Sequence, residues 1–301
     1  MTVAPADDAP RPDAGEGFSD AVTVAFGDAR ADLFGIARLG LAEGGASGMT
    51  ILFHRGAPVE VRAEGGVELG PRPTSWNEVS AAGLDTEVVE PLRAWRLHYA
   101  SEDATLDLDL RAVGAVATLD PESPVARAGG MAGFDQAVRV TGSATVGGER
   151  VAVDGRGQRG HSWGAPDWDR IRLARTVGAW LDDDLSVALT AIRPSGGKSH
   201  EDERVAATIL DRDPESGEAR ATAVVEPRLS TTYDADGRQT AAGLELFVDE
   251  EGFPRRAAGE VRCGTTLDLG RLQLNCAFFT WHMEGRTGVG RYDVLARADG
   301  S

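Results

Sequence analysis

The sequence predicts an all-β protein with little helix, built as two antiparallel domains that are each a β-barrel or a strongly curved sheet. Three observations carry that prediction. First, short apolar/polar alternations recur along the chain, and the clearest runs from Thr105 to Val113, where Leu106, Leu108 and Leu110 alternate with Asp107 and Asp109. A period of two puts one residue set on the core face and the other in water. Second, 38 glycines and 14 prolines punctuate those segments at hairpin spacing. Third, no stretch of a dozen or more residues holds a 3.6 period, and each half offers roughly eight short strands, enough to curve a sheet back on itself.

In chain order, residues 1–17 are rich in Ala, Asp and Pro and read as a disordered tail. A first β-domain spans 18–154 and a second 155–301. The first begins with strands over 21–26, 34–41, 49–54 and 59–64. The stretch 76–89 has room for one short helix, and strands follow over 92–100 and 105–113. A connector over 120–133 leads to a hairpin, 134–146 returning through 151–154 around Gly147-Gly148-Glu149-Arg150. The second domain pairs 172–181 with 185–192 around Asp182-Asp183-Asp184, and 205–211 with 219–225 around Pro214-Glu215-Ser216-Gly217. Strands over 243–249, 257–267, 272–282 and 288–297 complete it. The Asp runs are solvated turn residues.

Composition narrows the function classes. The formal net charge of −17 is unsuited to nucleic acid or an anionic membrane surface, both of which need basic patches. No apolar run approaches the roughly 18–20 residues of a membrane helix. The N-terminus lacks the basic and apolar regions of a signal peptide, so a cytoplasmic protein is expected. Cys263 and Cys276 are consistent with two buried thiols or with a disulfide between neighbouring strands. Neither a phosphate-binding loop nor a dinucleotide fingerprint is present, since Gly155-x-Gly157 opens no helix, and no cofactor is expected. Nothing in the sequence fixes an oligomeric state.

The chemistry concentrates in residues 155–169, Gly-Arg-Gly-Gln-Arg-Gly-His-Ser-Trp-Gly-Ala-Pro-Asp-Trp-Asp. On an extended segment Arg159, His161 and Trp163 share one face. Asp167 and Asp169 follow the Pro166 corner, with Trp168 between them. An imidazole beside carboxylates and rings suits general acid–base work, and rings stabilise a developing cation. The competing reading is a Trp-rich packing seam in which His161 bonds a backbone carbonyl. Asp135 and Gln136 open the strand before this motif, and Asp135 is either a second acid in the same cavity or a capping residue. A second concentration is Trp281-His282-Met283-Glu284-Gly285-Arg286, with His282 and Glu284 on one face. Its bland reading is an exposed Glu284–Arg286 pair. His161, His282 and Glu284 are ligand types a metal accepts, but their spacing does not demand one, and no metal is assigned.

Phe134-Asp135-Gln136-Ala137-Val138-Arg139-Val140-x-Gly142, followed by Gly155-x-Gly157-x-Arg159-Gly160-His161-Ser162-Trp163-Gly164 and Asp167-Trp168, resembles the middle of the carotenoid 1,2-hydratase (hydroxyneurosporene synthase)-like superfamily. The likeness is strongest to a bacterial branch with an Arg-Asp-His-Ser-Trp-Gly signature. It implies two lipocalin-like domains with a hydrophobic-ligand cavity near their contact. In the hydratases a His-x-Trp pair works with an aspartate on a nearby strand, which protonates an alkene before water captures the cation. His161-x-Trp163 matches the pair. Gly160 stands where the branch has an acid, and the strand 186–190 carries none.

Together these readings predict an enzyme acting on an isoprenoid, polyketide or lipid-like substrate by acid-assisted hydration, isomerisation or cyclisation. The candidate catalytic residues are His161, Asp167 and Asp135. Trp163, Trp168, Arg159, Gln136, Trp281, His282 and Glu284 are the candidate substrate-binding residues. The alternative is a lipocalin-like carrier that binds a hydrophobic small molecule without converting it.

Overall fold

The computed structural model describes residues 2–12, 15–43 and 45–298. Its contacts divide the chain into two units, one of residues 1–113 and 131–165, the other of 114–130 and 166–301. The division therefore falls after Ala165 rather than after Asp154. The reason is that the strand entering the central motif does not stop there: Glu149–Gly164 is one continuous strand.

In the first unit the strands are β1 (Ser19–Asp28), β2 (Leu33–Ala42), β3 (Gly45–His54), β4 (Ala57–Val67), β5 (Ser80–Ala81), β6 (Leu84–Glu90), β7 (Ala94–Ala100), β8 (Ala104–Leu119), β9 (Met131–Val146) and β10 (Glu149–Gly164). They form one antiparallel sheet in the order β4-β3-β2-β1-β10-β9-β8-β7-β6-β5. Its two edges meet where the Ala82 N–H donates to the Glu64 carboxylate at 2.6 Å. The interior is filled by alternate residues: Val22, Val24 and Phe26 of β1, Leu97 and Tyr99 of β7, and Val138 and Val140 of β9. Leu106, Leu108 and Leu110 of β8 join them, as the alternation predicts. Their polar neighbours Asp107 and Asp109 lie outside and pair across to His98 and Arg96 of β7. Each such buried leucine contributes about 1.5–3 kcal/mol.

No helix forms over 76–89. Ser75 accepts the Asn77 N–H and starts a single 3-10 turn, Trp76–Glu78, whose Asn77 side chain then accepts the Val88 N–H at 2.7 Å. Ala82 and Gly83, both at positive φ, make the two-residue turn that joins β5 to β6. The predicted disordered tail is also corrected over the residues described. Residues 5–8 form a 3-10 turn and Asp8 is buried, whereas Met1 and positions 13–14 lie outside the described residues.

The second unit carries β11 (Ile171–Trp180), β12 (Leu185–Pro194), β13 (Arg204–Arg212), β14 (Ala219–Ala223), β15 (Glu226–Tyr233), β16 (Gln239–Phe247), β17 (Arg255–Asp268), β18 (Leu272–Met283) and β19 (Arg286–Arg297). Their order is β14-β13-β12-β11-β19-β18-β17-β16-β15, again all antiparallel. Val177, Leu189, Ile209, Leu244, Phe279, Trp281 and Tyr292 fill its core. The connector over 120–133 contains a short helix, α1 (Pro124–Gly129), capped by the Ser123 hydroxyl. Val125 of α1 packs with Ile171 and Ile192. Both cysteines are buried, and no disulfide joins them. The protein is thus all-β, with two curled antiparallel sheets, and among the described residues no helix is long and apolar enough to cross a membrane.

Candidate functional site

The site is built at one end of the first sheet, where β1 begins, β10 ends, and β7 and β9 begin. Register does the placing. Asp20 lies opposite Trp163 and Val22 opposite His161 on the β1–β10 ladder, while His161 faces Phe134 and Arg159 faces Gln136 on the β10–β9 ladder. Because side chains alternate, Asp20 points to the same interior face as Val22 and Val24, and Arg159, His161 and Trp163 to that of Phe134 and Gln136.

His161 is buried and uses both ring nitrogens. Nδ1 lies 2.9 Å from the Asp7 carbonyl oxygen and Nε2 lies 2.7 Å from Asp20 Oδ1. A carbonyl only accepts, so Nδ1 carries a proton. The second contact then holds one proton between Nε2 and Oδ1, as an imidazolium–carboxylate or an imidazole–carboxylic acid pair. Both side chains are fully buried. Asp20 Oδ2 accepts the Arg11 N–H at 2.6 Å. Three rings surround the imidazole edge to face: Trp163 at 5.1 Å, Trp76 at 5.6 Å and Phe134 at 5.6 Å between centroids. The buried Trp76 Nε1–H has no hydrogen-bond partner among the described residues.

Next to this dyad stands Arg159, 2% exposed. It donates to Asp8 Oδ1 at 2.5 Å and to Gln136 Oε1, and its guanidinium lies 4.7 Å over the Trp95 ring. Burial pulls the guanidinium below its ordinary value, and the opposing pull of Asp8 and, more weakly, of Asp135 does not make up the difference. Asp8 Oδ2 receives the Trp95 Nε1–H at 3.0 Å and the Leu92 N–H at 2.7 Å. Leu92 sits at φ +61°, a costly conformation for a side chain of its size, and its carbonyl accepts from Gln136 at 2.9 Å.

Of the residues singled out from the sequence, the structure brings Arg159, His161, Trp163 and Gln136 together, and the remaining candidates lie elsewhere. Asp135 is half-buried on the opposite face of β9 from Gln136. Its ladder partner is Gly160, where an added Cβ would meet the Asp135 carboxylate, the movable end of that side chain. Asp167 is not a desolvated acid: it is exposed and caps the Asp169 N–H at 2.9 Å. Trp168 packs on the Val125–Ile171–Ile192 cluster. Trp281 is core, stacked on Phe279 at 5.7 Å. His282 is exposed and bonds Thr287 at 3.0 Å. Glu284 pairs with Arg255, not Arg286, which pairs with Asp182. Among the described residues no group of three or more His, Cys, Asp or Glu is placed to hold a metal.

The residues missed are Asp20, Asp8, Asp7, Arg11, Trp76 and Trp95. Asp20 had a signal: it is an acid on the face of β1 that otherwise reads Val22, Val24, Phe26.

Residues 4–297 match a family model described as "Domain of unknown function (DUF7064)". The chain belongs to this family. No curated protein matches the sequence. Among solved structures it is similar to CghA with Sch210972, at 14% identity and a TM-score of 0.67 over 95% of this chain and 90% of that one. It is similar as well to kievitone hydratase from Nectria haematococca, at 14% identity and 0.62 over 94% and 89%. A candidate AttH from Nitrosomonas europaea matches at 16% identity and 0.63 over 93% and 92%. At these identities the likeness establishes the fold, the carotenoid hydratase-like lipocalin fold that the His-Ser-Trp-Gly motif implied.

Proposed function

We propose that this protein is an enzyme acting on a hydrophobic isoprenoid, polyketide or lipid-like substrate by acid-assisted hydration, isomerisation or cyclisation, with the Asp20–His161 pair as its acid. The observation that carries this reading is the fully buried 2.7 Å contact between His161 Nε2 and Asp20 Oδ1 inside a cage of three aromatic rings. The pair holds one transferable proton. Delivered to an alkene carbon, it leaves a cation that the faces of Trp76, Phe134 and Trp163 stabilise. Water, an internal nucleophile or loss of a neighbouring proton then quenches the cation, and the pair takes the released proton back. His161 keeps its position throughout because Nδ1–H stays on the Asp7 carbonyl. Kievitone hydratase has the same fold, which is consistent with this chemistry. Asp20 here takes the part that the resemblance gives to an aspartate on a nearby strand.

A carrier of the same class of molecule is the second reading, favoured by the exposure of Asp167 and Glu284, which leaves Asp20 as the one acid hydrogen-bonded to His161 among the described residues. One experiment separates them. Native mass spectrometry of freshly purified protein identifies a co-purified apolar molecule, which is then incubated with the enzyme in D2O. All three reactions place a solvent deuteron on carbon, so wild type yields a carbon-deuterated product, and Asp20→Asn slows its formation about 100-fold or more. Binding without deuterium incorporation by wild type establishes the carrier.

A further inference from the structure

The Asp8 carboxylate is held like a ligand. Three donors from the barrel wall converge on it: Arg159 Nη1, Trp95 Nε1–H and the Leu92 N–H. Arg159 and Trp95 are buried on strands β10 and β7, Leu92 is half-buried in the turn between β6 and β7, and the guanidinium is further fixed by Gln136. Building this receptor has a cost, because Leu92 is held in a left-handed conformation to aim its N–H at the carboxylate and its carbonyl at Gln136. The carboxylate itself belongs to no strand of the sheet. It comes from the short segment before β1, which also reaches over the dyad through the Asp7 carbonyl on His161, the Arg11 N–H on Asp20, and the Arg11 guanidinium 3.9 Å from the centre of the Trp163 ring, and whose Arg11 carbonyl accepts from Arg72 Nε at 2.8 Å.

We propose that Arg159, Trp95 and the Leu92 N–H form a binding site for the carboxylate of the substrate, a hydrophobic carboxylic acid, and that Asp8 occupies this site in its place. An incoming acid exchanges its carboxylate for that of Asp8, and its apolar body takes the path of residues 7–11 across His161 and Trp163. The exchange conserves charge, so buried Arg159 is never left without an anion, which would be severely destabilising. The segment is thereby both the lid of the dyad and a competitor for the site. This inference rests on the dyad being the reacting centre.

The test uses full-length protein and octanoate, with octanol as the uncharged control of equal length. Asp8→Asn keeps the shape and removes the charge, and Asp8→Ala removes both. In either variant octanoate binding, followed by tryptophan fluorescence, strengthens about tenfold or more over wild type, the worth of one hydrogen bond to a charged group. Octanol binding does not change, and adding Arg159→Gln cancels the gain. In wild type, octanoate and not octanol raises hydrogen–deuterium exchange over residues 2–12. This last measurement needs no variant to fold. Equal binding of acid and alcohol by folded Asp8 variants overturns the proposal, as does unchanged exchange in wild type at millimolar octanoate. Either result leaves Asp20-dependent deuterium incorporation untouched, so the two readings fail separately.

Discussion

Each unit buries an arginine on the inside of its sheet, and the two are compensated differently. In the second unit Arg175 of β11 donates to Glu203, Thr231 and Tyr292, and Arg193 shares the same glutamate at 2.9 Å. All of these partners come from within or between that sheet's own strands. Burial lowers the Arg175 guanidinium, but Tyr292, Tyr233 and Glu203 outweigh it and the net direction is up. Arg159 is equally hidden, yet its net direction is down. The carboxylate it hydrogen-bonds, Asp8, arrives on a segment outside the sheet. The difference separates a structural arginine, whose charge is compensated by groups of its own sheet, from one whose anion is exchangeable.

Substitutions sharpen the contrast. Arg159→Met leaves Asp8 buried without its cation and costs about 3–5 kcal/mol in urea unfolding. Combining it with Asp8→Ala recovers much of that loss, because no orphan charge remains. Arg175→Met costs less, about 1–3 kcal/mol, because Glu203 retains Arg193. Equal costs for the two arginines break the comparison. A smaller effect belongs to the second unit alone. Burial raises the Asp293 carboxyl to about 6, with Arg291 and Cys276 opposing. A carboxyl raised in the folded state binds its proton more tightly there than when unfolded, so its contribution to stability falls as pH rises from about 4 to about 6. Asp293→Asn removes that decline, measured as the slope of unfolding free energy against pH, and leaves the response of the first unit's octanoate site unchanged.

The fold was legible because strand periodicity is local. Leu106, Leu108 and Leu110 against Asp107 and Asp109 announce the inside and outside of β8 whatever surrounds it. The same period placed Arg159, His161 and Trp163 on one face before any partner was known. Their partners were not legible, because pairing is a property of the ladder. Asp20 reaches His161 from 141 residues away and Asp8 reaches Arg159 from 151. The N-terminal segment read as disordered from its Ala, Asp and Pro content. Its order comes from the cation and the imidazole waiting for it inside the sheet. Asp167 and Glu284 misled for the converse reason: carboxylates close in sequence to a histidine are drawn into turns and surface pairs.

The account rests on a proton shared between His161 and Asp20. Long-range 1H–15N correlation of the histidine rings tests it directly in full-length protein, with Asp20→Asn as the comparison. The expected spectrum shows His161 Nδ1 protonated and a strongly low-field ring proton on Nε2 that disappears in Asp20→Asn and persists in His282→Gln. A His161 ring with an unprotonated Nδ1, and no signal sensitive to Asp20, would contradict it.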